Sequence, residues 1–449
     1  MYGKFAKTIM GAAISVLLAV PSVAQEENFP ILFTNVHVFD GISEERFLNA
    51  NVLVVDNLIS EVSMEPLAAA NAQIIDGGGR TLMPGLIDAH NHIMIPASPG
   101  QVANDWHWGY LSAVSANEAT KMLLRGFTTL RDAGGPAYGL ARAIDEGLVA
   151  GPRIYPSGHF IGQTSGHTDF RSYNESHTLD RSSRSAFETN WAFMADGRDA
   201  VLAYTRETLR RGATQIKLSA GGGVASAYDP LDTAQLTVDE MRAAVEAAED
   251  WNTYVMVHAY TDRSVMRALE AGVKSIDHGT LIENPETMIA MREAGAIYNP
   301  QAVAFTMSPE ALAALPATLA KKVQPTLTGL DVSMRLAKEH GVKIAFGVDS
   351  FGSPEALARQ NEELALRLKW FSPHEVLVQA TSATAELVAM SGPRNPYQDG
   401  PLGVIKAGAY ADILLVEGNP LEDLQPLVEY ESGIDLIMKN GVIFKNTID

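Results

Sequence analysis

The stretch Gly85–Ile93, GLIDAHNHI, closes an apolar run with His90 and His92 two residues apart. On an extended strand residues i and i+2 point the same way, so these two imidazoles converge. Convergent neutral imidazoles are ligands for a divalent metal. Alone, His-x-His is a weak signal, but further chemistry-bearing residues sit in the same kind of place. Lys217 lies in QIKLSAGGG, His258 near the end of YVMVHAY, His278 in SIDHG and Asp349 in KIAFGVDS. The chain has no cysteine, so any metal must be held by histidine, carboxylate or modified lysine. His90 and His92 would take one ion, and His258 and His278 a second. Asp349 would ligate a metal and accept a proton from water. Lys217 is the odd member, because an ammonium beside two dications is repelled. Either it reaches solvent, or it has added carbon dioxide to become an anionic carbamate able to bridge both ions. Spacing leaves both open.

Those residues need a scaffold that brings distant strand ends together. From about Thr81 to Ala389 short apolar runs alternate with helical patterns such as TVDEMRAAVEAAED. The runs Leu82–His92, Phe127–Asp132, Arg153–Ser157, Gln215–Ser219, Tyr254–His258, Ser275–His278, Ala296–Pro300 and Lys343–Asp349 predict the eight strands of an α/β chain, a (β/α)8 TIM-type barrel. In such barrels the active site occupies the C-terminal strand ends, where His90, His92, Lys217, His258, His278 and Asp349 fall. Before and after lie Val-, Ile- and Leu-rich runs separated by Asp-Gly, Asp-Asn and Asn-Gly turns, which predict antiparallel hairpins. The expected organisation is a signal peptide over 1–24, a barrel over 81–391, and one small β-sandwich built from 25–80 and 392–449. The irregular stretch that follows the third strand, from His159 to Asn190, is long enough to be a functional loop.

Composition narrows the partners. The 449 residues are 46% hydrophobic and 19% charged, which suits a folded core. A net charge of −19 disfavours nucleic acid. Lys4 and Lys7, the apolar run Ile9–Val20 and Ser22-Val23-Ala24 read as a bacterial secretory signal, so a periplasmic or secreted protein is expected. No later run is long enough to span a bilayer, and no membrane association is expected after cleavage.

The ordered set His90-x-His92, Lys217, His258, His278 and Asp349, with the flanking LMPGLIDAHNH and AGAYADILLVEGNPL, resembles the amidohydrolase superfamily over nearly the whole mature chain. That resemblance implies two divalent ions, zinc, bridged by N6-carboxylated Lys217 and a hydroxide, with Asp349 as the proton shuttle. The one-metal branch usually lacks a lysine at this position. The loops GQTSGHTDFR, HAYTDR and GFTTLRDAGG resemble the branch of Xaa-Pro dipeptidases and carboxypeptidase-like enzymes, which includes amidohydrolases that cleave ochratoxin. By position, His167 and Tyr260 fall where substrate contacts are expected. Tyr260 leaves its strand on the same side as His258 and would donate to an oxyanion, while His167 would contact the substrate carbonyl or its terminal carboxylate. Arg171 is a further carboxylate candidate.

Arg131 and Asp132 end the second strand as an adjacent pair, but neighbours face opposite sides, so a buried structural ion pair elsewhere suits them at least as well as catalysis. Gly221–Gly223 lacks the Lys-Ser/Thr of a phosphate loop and is expected to make room above Lys217. Trp106, His107 and Trp108 would wall the pocket or form an oligomer contact. The expected reaction is hydrolysis of the amide bond to a C-terminal amino acid in small peptides or N-acyl amino acids, by a homo-oligomer. The alternatives are a cyclic-amide, imidazolone or lactone hydrolase with the same metals, or a metal-containing binding protein without turnover.

Overall fold

The computed structural model describes residues 29–175 and 190–448; the signal expected over 1–24 and part of the loop after the third strand lie outside the described residues. Five strands open it: β1 (Ile31–Val38), β2 (Phe47–Val55), β3 (Leu58–Ser63), β4 (Gln73–Asp76) and β5 (Thr81–Pro84). Next come β6 (Leu86–Asn91), β7 (Phe127–Asp132), β8 (Arg153–Pro156), β9 (Phe160–Gly162) and β10 (Ala192–Met194). Then follow β11 (Ile216–Ser219), β12 (Val255–Thr261), β13 (Ser275–Leu281) and β14 (Ile297–Asn299), and the chain closes with β15 (Ile413–Val416), β16 (Ile434–Lys439) and β17 (Val442–Asn446).

The middle strands form two parallel sheets, ordered β6-β7-β8 and β10-β9-β11-β12-β13-β14. Their residues are buried almost throughout, as expected for strands covered on both faces. Helices connect them. The helix Val238–Asp250 starts with a capping box, Thr237 and Glu240 each bonding the other's backbone amide. It buries Met241, Ala244, Val245 and Ala248, the stripe its helical period predicts. Among the described residues no helix is long and apolar enough to cross a membrane.

The expected strand Leu82–His92 is two strands. The chain breaks step at Gly85, where an added Cβ would land on the Thr128 side chain. β5 on one side pairs with β1 and β15, and β6 on the other pairs with β7. The expected eighth strand, Lys343–Asp349, carries no regular ladder. Two of its amides bond side chains instead of a neighbouring strand: Phe346 N to Thr384 Oγ1 at 2.8 Å and Val348 N to Asp88 Oδ1 at 3.1 Å. The segment is nonetheless bonded on both flanks. Tyr298 N donates to Lys343 O (2.9 Å) and Ala345 N to Tyr298 O (2.8 Å). Towards β6, Ala89 N donates to Phe346 O and Asp349 N to His90 O, both at 2.7 Å.

The chain ends do combine, but into one eight-stranded sheet rather than two separate layers, ordered β17-β16-β15-β5-β1-β2-β3 with β4 beside β1. At its β3 edge Ile59 N donates to Ala409 O and Gly408 N to Ile59 O, each at 2.8 Å. The sheet therefore returns towards β15 and encloses its own core, which includes Phe33, Val52, Ile59, Leu82, Ile413 and Leu436.

Candidate active site

The strand ends meet in one cavity of about 290 Å³ lined by His90, His92, Lys217, His258, His278 and Asp349. His90 and His92 leave β6 with their rings 5.2 Å apart, His278 lies 4.9 Å from His90, and His258 lies 4.5 Å from His278. Asp349 Oδ1 stands 3.5 Å from His90 Nε2 and 3.4 Å from His92 Nε2, and its Oδ2 is 3.9 Å from His278 Nδ1. One ligand atom each from His90, His92 and Asp349 falls within 4.8 Å of the others, a spread one divalent ion can span. His278 and Asp349 both have left-handed backbones, φ 74° and 57°. Non-glycine residues take that conformation at a cost, and such strain concentrates at functional sites.

The polar surroundings suit a metal. Burial holds His90 down to about 4, with the Lys217 charge acting the same way, and burial also takes His258 and His278 well below the ordinary imidazole range. Neutral rings are the ligating form. Burial alone would raise the Asp349 carboxyl, but His90, His92 and His278 hold it below the usual range, so it is anionic. Burial lowers Lys217 in spite of Asp277 and Asp349 nearby. Hydrogen bonds select the free nitrogens. His92 Nδ1 is 3.0 Å from Gly134 O, which leaves Nε2 for a metal. His258 Nε2 is 3.0 Å from Gly222 O, which leaves Nδ1. Among the described residues, buried His278 Nδ1 and Asp349 Oδ1 find no hydrogen-bond partner. Orphaned acceptors of this kind are what a bound cation would satisfy, and the donor set fits divalent ions.

His167 and Tyr260 also line the cavity. The His167 ring stacks on His258 at 3.8 Å, its Nδ1 is 3.0 Å from Ser226 Oγ, and its backbone N donates to Gln235 Oε1 at 2.8 Å. Burial lowers its pKa to about 4. The three-glycine loop makes room for this ring rather than for Lys217, since a Cβ on Gly223 would overlap His167 Nδ1. Tyr260 packs edge-on to His258 at 4.8 Å. Burial raises the phenol well above its ordinary value, so it stays a donor. Arg171 is not brought to the cavity. Its guanidinium grips Asp169 through two bonds of 2.7 and 2.6 Å. Nor do Trp106, His107 or Trp108 line it; Trp108 stacks on Trp191 at 5.1 Å.

Two features escaped the sequence reading. Phe160, Phe170, Phe305 and Phe351 wall the cavity, and no regular spacing marks them. Asp277, next to His278, is fully buried beneath the site and paired with Arg131 at 3.0 Å. A charged residue inside an otherwise buried apolar strand was the available signal. Asp132, the other half of the adjacent pair, is also fully buried, and burial lifts its carboxyl to about 7.

A model described as the amidohydrolase family matches residues 81–444. Ochratoxinase of Aspergillus niger is 29% identical over 423 residues, 89% of this chain and 84% of that protein. Among solved structures, a prolidase complexed with N-methylphosphonate-L-proline is 35% identical with a TM-score of 0.84, covering 93% of this chain and 100% of that one. A Xaa-Pro dipeptidase with methionine bound in its active site is 28% identical with a TM-score of 0.81, again over 93% and 100%. The resemblance drawn from the strand-end residues is borne out: this chain belongs to the amidohydrolase family and is a hydrolase of amide bonds.

Proposed function

We propose that the protein is a binuclear zinc amidohydrolase that releases the C-terminal amino acid from dipeptides or N-acyl amino acids, with ochratoxin A among the candidate substrates. The observation that carries this reading is the convergence of His90, His92, Lys217, His258, His278 and Asp349 on one cavity, in a chain similar to a prolidase solved with a proline phosphonate. His90 and His92 would hold one ion, His258 and His278 the other, and Lys217, as the carbamate, would lie between them. Burial favours the neutral Lys217 amine, the form that adds carbon dioxide. When bound, the ions supply water activation and polarisation of the scissile carbonyl.

The chain's own groups do the rest. Asp349, anionic at rest, takes the proton of the attacking water and passes it to the departing amine. Tyr260 offers its hydroxyl hydrogen to the oxygen that becomes negative as the carbonyl turns tetrahedral. His167, stacked on His258 at the cavity wall, contacts the substrate's carbonyl or carboxylate. The phenylalanine walls keep water from the reacting amide and strengthen these interactions. We also read the parallel strands, with Lys343–Asp349 bonded between β14 and β6, as the staves of a (β/α)8 barrel beside a sandwich-like end domain; the backbone bonds on both flanks of that segment support it.

The test is amino-acid release followed by mass spectrometry. Zinc-loaded protein is offered Xaa-Pro, Xaa-Phe and Xaa-Arg dipeptides, N-acyl-Phe, ochratoxin A and several lactones and cyclic amides. Free C-terminal amino acid is expected. Turnover of lactones or cyclic amides alone would contradict the proposal.

A further inference from the structure

Beneath the cavity, Asp277 and Arg131 are both fully buried. Three donors converge on Asp277 Oδ1: Arg131 Nη2 at 3.0 Å, Asn299 Nδ2 at 3.1 Å and Ser275 Oγ at 3.0 Å. Arg131 is itself pinned, Nε to Ala89 O at 2.6 Å and Nη1 to Ser275 Oγ at 2.9 Å. A carboxylate with one oxygen saturated in this way cannot turn. Its other oxygen, Oδ2, points to His90 Nδ1 at 3.2 Å, with Lys217 Nζ at 3.7 Å. Neither His90 Nδ1 nor Asp277 Oδ2 has a hydrogen-bond partner among the described residues. An orphaned acceptor and an orphaned ring nitrogen thus face each other in the interior, where each is costly unless they share a proton.

We propose that Asp277 is a positioning residue for the metal centre: it accepts the Nδ1 proton of His90 and so commits Nε2 of that ring, the atom facing Asp349, to the metal. Arg131 is the counter-charge that lets the carboxylate remain buried as an anion. The inference rests on the metal reading above. A carboxylate behind a ligating histidine fixes the tautomer and raises ligand basicity, and its loss typically weakens metal binding about 10- to 100-fold. The competing role is purely structural, an ion pair that pins β7 to β13.

Zinc affinity, measured by competition with a chromophoric chelator, separates the two roles. Asp277→Asn should bind zinc about 10- to 100-fold more weakly than wild type. The double variant Arg131→Gln/Asp277→Asn removes both charges, and should regain thermal stability without regaining zinc affinity. Wild-type affinity in either variant would overturn the proposal, whereas a wild type that binds no zinc would overturn the metal reading instead. Should the variants fail to fold, long-range ¹⁵N-histidine spectra of the metal-free wild type decide: a proton on His90 Nδ1 is expected, and a proton on Nε2 overturns it.

Discussion

Lys217 is held where an ammonium gains little: fully enclosed, among histidines, with Asp277 as its near carboxylate at 3.7 Å. If it serves as a carbamate, Lys217→Ala should lose metal and activity together, and a short-chain carboxylic acid added to that variant should restore part of both. Wild-type metal content in Lys217→Ala would remove the bridging role. Tyr260→Phe tests a different step. Loss of one oxyanion donor costs about 10²- to 10³-fold in turnover, so kcat should fall by that order while zinc content stays full, as read by elemental analysis beside steady-state kinetics. The residues behind both predictions were legible in the sequence because each belongs to a short apolar run, Lys217 within QIKLS and Tyr260 at the end of YVMVHAY. Asp277 was not, and the reason is local geometry. Alternation along a strand sends neighbours to opposite faces, but the left-handed backbone of His278 breaks the pleat and lets both neighbours serve one site.

At the scale of elements, the loop after β11 matters more than its glycine content suggested. Gly223 lies against His167, which in turn stacks on His258. Gly223→Ala must displace the His167 ring. A displacement of about 1 Å at a positioned group can cost about 10²-fold in rate, so kcat/KM should drop by that order with a melting temperature close to wild type. An unchanged kcat/KM would mean that His167 does not touch the substrate. The repeating pattern of apolar run and amphipathic helix made β6 to β8 and β11 to β14 readable, but not the three-residue strands β9 and β10, the first of which lies inside the stretch read as irregular. It failed at the two ends of that series for physical reasons. At Gly85 the chain passes Thr128 too closely for a side chain, and the apolar run continues across a change of sheet. In Lys343–Asp349 the composition is strand-like, yet Thr384 and Asp88 take the amides a ladder would need.

For the whole molecule, the sheet from the chain ends is fastened to the parallel strands by a buried ion pair. Arg153 on β8 reaches Asp412, just before β15, at 3.2 and 3.1 Å, and its guanidinium lies over Tyr410 at 4.0 Å. Removing one partner of such a pair costs about 3–5 kcal/mol. Arg153→Met should therefore lower the denaturation midpoint substantially while leaving the zinc affinity of the folded protein unchanged; a midpoint equal to wild type would show the two parts to be held by other contacts. That both chain ends join one sheet was legible in their hairpin patterns. The single curled sheet was not, because register and edge closure depend on contacts between residues far apart in sequence, such as Ile59 with Ala409. The central claim is metal-dependent amide hydrolysis at the shared cavity. Its most direct test is to strip the protein with a chelator, then titrate zinc while following free amino acid released from a dipeptide or N-acyl-Phe substrate. Release should be absent without metal and rise to a plateau as the second equivalent per chain binds. Full release by the metal-free protein, or none at any zinc level across the substrate panel, would contradict it.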